Sequence, residues 1–94
     1  MIIPFDFDYA REAIELGVSN IKFKTKCGYK VDITLFRNPY IWGGDYFVEG
    51  FYYIGYGNKG YSNSPFYGRW TMKGGLRNDG LETDLDLVIE IIET

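Results

Sequence analysis

Strict alternation of apolar and polar side chains, repeated on both sides of a cysteine–glycine step, constrains this chain most. Ile21, Phe23 and Thr25 alternate with Lys22, Lys24 and Lys26. After Cys27-Gly28, Val31, Ile33 and Leu35 alternate with Lys30, Asp32 and Thr34. A period of two marks a strand with one buried face. Two such runs joined by a tight turn make a β-hairpin, with Gly28 supplying the positive φ of the turn. A lone hairpin is at best marginal in water, so the rest of the chain must cover its apolar face.

The preceding segment reads as one short helix. Asp6 is placed to cap its N-terminus, Phe7, Ala10, Ala13 and Ile14 share one face, and Gly17 ends it. Residues 37–45, with Asn38-Pro39 and Gly43-Gly44, read as a loop. In the run 46–57, parity sets Tyr46, Val48, Tyr52, Ile54 and Tyr56 against Phe47, Glu49, Phe51 and Tyr53. Both faces are aromatic, so either both are covered or one is a binding surface. The run 61–73 begins as loop and ends as strand, with Trp70 and Met72 opposite Arg69 and Thr71. The run 83–92 is a closing strand with Leu85, Leu87, Ile89 and Ile91 inward. The expected fold is α+β, a single domain over 1–94. It has one short N-terminal helix and about five antiparallel strands in a small barrel or strongly twisted sheet.

Composition narrows the function. The 94 residues contain no His and one Cys. That removes His-based triads, Cys–His proteases, zinc-finger patterns and any disulfide within the chain. With no nucleophile–base pair either, the chain reads as a binding protein and not an enzyme, with no cofactor and no metal. No apolar run approaches a membrane span, and the single thiol Cys27 fits a reducing compartment, so a cytoplasmic location is expected. The net charge of −3 is uneven: residues 1–40 and 41–80 carry +1 each, and 81–94 carry −5. A near-neutral body argues against direct duplex DNA binding.

Pro4-Phe5-Asp6, the helix Ala10 through Gly17, the hairpin Ile21 through Ile33, Gly68-Arg69-Trp70 and Asp84-Leu85-Asp86-Leu87 together form a pattern. It resembles a family of short, mostly uncharacterised accessory proteins of phages, prophages and other mobile elements. The chain departs from that pattern in its longer, more aromatic middle, 37–66, and in having Cys27-Gly28 where the first turn is usually Asp-Gly. The shared motifs are structural. The resemblance therefore implies a fold and a genomic setting, with no catalytic residue to carry over.

Seven of nine Tyr lie between positions 40 and 67, and ten of twelve Gly between 43 and 80, a concentration beyond what a core requires. Tyr offers a stacking face and a hydroxyl at small entropic cost, and Gly lets a backbone approach a ligand. The first expectation is a small nucleotide-type ligand, sequestered to blunt a host defence. Trp42, Tyr52, Tyr56, Tyr61 and Trp70 would stack, and Lys59 and Arg69 would meet phosphate. A homo-oligomer sharing pockets between subunits is expected, because so small a monomer can hardly enclose a ligand. The second expectation is a protein–protein inhibitor of a host nucleic-acid-handling enzyme, with the aromatic loops docking on it and the acidic residues Glu82, Asp84 and Asp86 opposing a basic channel. A third is a structural or self-assembly module. Gly55-Tyr56-Gly57-Asn58-Lys59-Gly60 matches G-x-G-x-x-G, but Ser62 to Pro65 follow where a helix would have to start, so it reads as a hairpin turn. Lys22, Lys24 and Lys26 form either a phosphate-facing ladder or a solvated face, paired with Asp32 across the hairpin.

Overall fold

A computed structural model describes residues 1–54 and 65–93. The elements follow the order β1 (Ile2–Pro4), α1 (Phe7–Glu15), β2 (Ile21–Thr25), β3 (Lys30–Phe36), β4 (Val48–Tyr53), β5 (Pro65–Trp70) and β6 (Leu87–Ile91). The strands form one antiparallel sheet in the order β1-β6-β2-β3-β4-β5. The molecule is α+β, and the expected barrel does not form, because β1 and β5 remain free edges. Both begin or end on proline, at Pro4 and Pro65, where a missing N–H is harmless only at an edge. β1 itself is an addition to the expected strands. It is three residues long, pairing Ile3 with Ile89 of β6.

The helix forms where its cap signals place it. The Asp6 side chain accepts from the Tyr9 N–H at 2.9 Å, and Gly17 takes φ +67 beyond the last turn. Phe7, Ala10 and Ala13 are buried; Ile14, expected beside them, is 44% exposed. Phe7 meets Phe36 and Phe47 edge to face, with ring centroids 5.4 and 6.3 Å apart. The two alanines keep the helix close enough for that contact.

The first hairpin is as its alternation predicts. Gly28 has φ +97, and Ile21, Phe23, Thr25 and Val31 face the core side. The alternation of β3 fails further on. Its pairing with β4 shifts between Ile33 and Leu35, so Leu35 lies opposite Glu49 and Phe36 opposite Val48. One extra residue in a strand turns every later side chain to the other face. Leu35, expected inward, is therefore 40% exposed, and Phe36 takes its place against Phe7.

Trp70 fills the centre of the core with no exposed surface. Its indole lies over Gly68, where a Cβ would come within 2.6 Å of the ring, and Gly68 pairs with Gly50 across the strands. A Cβ on Gly50 would in turn meet the Asp32 carbonyl oxygen at 2.3 Å. These glycines serve packing. The Trp70 indole N–H donates to the Leu85 carbonyl at 2.9 Å, tying the β5 edge to the chain entering β6.

The acidic end is not one open row. β6 is shorter than expected, and residues 83–86 turn around Asp86, which is buried. Asp86 accepts from the Leu76 N–H (2.9 Å), the Thr83 N–H (3.1 Å) and the Thr83 hydroxyl (2.8 Å). Because β6 runs antiparallel beside β2, the acids meet the lysine ladder: Lys24 pairs with Glu90 at 3.0 Å and Lys26 with Glu82 at 3.4 Å. Asp32, the partner expected for that ladder, instead lies 3.9 Å from Lys30 on its own strand. Among the described residues no helix is long and apolar enough to cross a membrane.

Candidate binding face

Helix α1 and the 71–86 segment supply the core side of the sheet with Phe7, Ala10, Met72 and Leu76. The shortest molecular dimension is 20 Å, room for two layers of about 10 Å each. Among the described residues no helix or strand packs on the other side of the sheet. Alternation delivers to it Lys22 and Lys24 from β2, Lys30 and Asp32 from β3, Glu49, Phe51 and Tyr53 from β4, and Tyr67 and Arg69 from β5.

Its geometry is set by register. Asp32, Phe51 and Tyr67 lie in line across β3, β4 and β5, as do Lys30, Tyr53 and Pro65. The Phe51 and Tyr67 rings meet edge to face at 5.8 Å. Lys30 stands 5.5 Å over the Tyr53 ring. The Tyr53 phenol is held above its ordinary value by hydrogen bonding toward Asp32, with burial and the negative charge of that carboxylate acting in the same direction.

Glu49 organises the end of the face nearest the 37–46 loop. Arg37 donates to Glu49 Oε2 through Nε (3.0 Å) and Nη2 (2.6 Å), and the Tyr67 hydroxyl donates to Oε1. Arg37 also stacks 4.0 Å over Trp42. Both carboxylate oxygens are thus engaged. Arg69, directly opposite Glu49 in register, makes no ion pair among the described residues, and its guanidinium lies 5.1 Å over the Tyr46 ring. It is an exposed cation bordered by aromatic surface.

The residues expected to bind a ligand divide between the two sides. Arg69 is on the open face, and Trp42 is joined to it through Arg37 and Glu49. Tyr52 and Trp70 are on the covered side. Tyr52 stacks on Phe66 at 5.5 Å and meets Trp70 edge-on, so the stacking role expected of Trp70 is replaced by a core role. Tyr56, Lys59, Tyr61 and the 55–60 glycine motif lie outside the described residues. Arg37, Tyr46, Phe51, Tyr53 and Tyr67 were missed as site residues. Parity with Glu49 and Arg69, charged residues that face water, marks Phe51, Tyr53 and Tyr67.

Elsewhere, a groove of about 790 Å³ runs between β1 and the 71–82 segment, over Ile3, Phe5, Met72 and Leu81. Of the expected ligand residues, the described ones, Trp42, Tyr52, Arg69 and Trp70, do not line it. Of its charged groups, Lys26 pairs with Glu82, and Arg77 pairs with Asp79 just outside the lining. Among the described residues no buried side-chain polar atom lacks a partner, so nothing in the interior awaits a ligand.

The class defined by this fold and face is an α+β protein with a half-covered antiparallel sheet whose bare side carries rings and cations. Comparison with family models, curated proteins and solved structures found no match for this chain.

Proposed function

We propose that this is a non-catalytic binding protein that holds a nucleotide-type ligand on the open face of β3–β5. In the phage or mobile-element setting that the sequence resemblance implies, it acts by sequestration. One observation carries the reading: Arg69 makes no ion pair among the described residues while Arg37 and Tyr67 occupy Glu49, and it lies over the Tyr46 ring, one same-face step along the strands from the Phe51–Tyr67 pair. An unpaired guanidinium meets phosphate, and flanking rings meet bases. Of the acidic residues of the alternative docking surface, Asp86 is buried in a turn, whereas Glu82, paired with Lys26, and Asp84 are exposed.

Thermal melting with a panel of nucleotides and short oligonucleotides tests the reading. A ligand that binds only the folded state raises the melting temperature in proportion to its concentration over Kd. We expect such a shift in the native chain and its loss in Arg69→Ala. No shift with any member of the panel would contradict the proposal.

A further inference from the structure

The open face also indicates how large the ligand is. Resting on the reading above, we infer that the face takes single-stranded nucleic acid laid across β2–β5, not a lone nucleotide. A lone nucleotide is held by concavity, in a pocket that buries most of its surface. This face is a sheet surface, and the groove of the molecule lies elsewhere. What the face offers is repetition. Phe51 and Tyr53 are two residues apart on β4, about 6.6–6.8 Å along the strand, and Tyr67 extends the ring surface onto β5. Several rings in one plane of a sheet suit successive unstacked bases, which a duplex does not present.

The charges favour a polyanion. Thr25 and Tyr29 share a ladder bond of 2.9 Å, so their neighbours Lys24 and Lys30 oppose each other at the closer, non-bonded kind of site. Each has a carboxylate partner, Glu90 for Lys24 and Asp32 for Lys30, so the two side chains set a band of paired charge beside the rings of β4. Lys22 makes no ion pair among the described residues, and neither does Arg69. Across the face, Lys22, Lys24, Lys30, Arg37 and Arg69 outnumber Asp32, Glu49 and Glu90, although the whole chain carries −3. A local positive field of this kind attracts phosphates whatever the net charge.

Fluorescence anisotropy with the full chain and labelled oligothymidylates of about 3 to 16 nucleotides tests this, with duplexes, an RNA series and thymidine monophosphate as competitors. We expect affinity to climb with length and then level off, to weaken with added salt, and to exceed that for duplex. Tyr67→Ala should weaken binding roughly tenfold while the chain still melts cooperatively, and Tyr67→Phe, which keeps the ring but releases Glu49 Oε1 to the opposite Arg69, should fall between it and the native chain. Equal competition by the monophosphate would overturn the inference and leave the nucleotide reading standing. Absence of binding by every nucleotide and oligonucleotide would overturn both. Self-association abolished by Tyr67→Ala, without nucleic-acid binding, would make the face a contact between copies of this chain and overturn both as well.

Discussion

Asp86 shows how one residue can be read correctly for its charge and wrongly for its place. In sequence it belongs to a run of acids. In the fold it is buried and anchors two turns through Leu76 and Thr83. Burial alone would raise its carboxyl pKa. The donors from Leu76 and Thr83, with Lys26 nearby, outweigh that and hold it below the ordinary 3.8. A depressed carboxyl contributes stability that is fully present above the unfolded-state pKa and is lost as pH falls through the folded value. Replacing Asp86 by Asn should cost on the order of 2–3 kcal/mol at neutral pH in urea unfolding. The gap to the native chain should narrow as pH drops below about 4. A gap that stays constant with pH would deny the carboxylate its role. Trp70 teaches the same lesson from the apolar side. Its parity was legible, but the depth of its burial depends on Gly68, Gly50 and the bulge at Thr34, none of which signals its purpose locally.

At the scale of elements, the sequence was most legible where a local signal determines a local structure. The Asp6 cap, the Gly17 stop and the Gly28 turn each follow from one residue's chemistry. Replacing Asp6 by Ala should lower stability by about 1 kcal/mol, because the Tyr9 N–H loses its acceptor at the helix start. A loss below a few tenths would show that the cap contributes little beyond water. Pairing was less legible. Pro4 and Pro65 lie on the two edge strands, a signal for edges that the expectation of a small barrel overlooked. The three-residue β1 was too short to show a period, and the β3 bulge arises from cross-strand register that no single strand encodes. The same limit divided the candidate site. Parity separated the two aromatic faces of β4, but only the placement of helix α1 decided which one stayed bare.

For the molecule as a whole, strand order explains the uneven charge. The −5 of residues 81–94 returns beside the lysines of β2, because β6 is inserted between β1 and β2. Lys24–Glu90 and Lys26–Glu82 are partly exposed pairs, each worth little to stability. Their greater effect is that, of the described cations on the open face, Lys22 and Arg69 are the ones with no ion pair among the described residues. On the proposed reading, a chain with one small two-layered core uses for recognition the side of its sheet that no described helix or strand covers. The most direct measurement of that claim is a backbone amide NMR titration of the full chain with a single-stranded oligonucleotide. The account predicts that the largest shifts fall on Lys30, Phe51, Tyr53, Tyr67 and Arg69, with Phe5, Met72 and Leu81 unmoved. Shifts gathered along the Phe5–Leu81 groove, or none on β4 and β5, would contradict it.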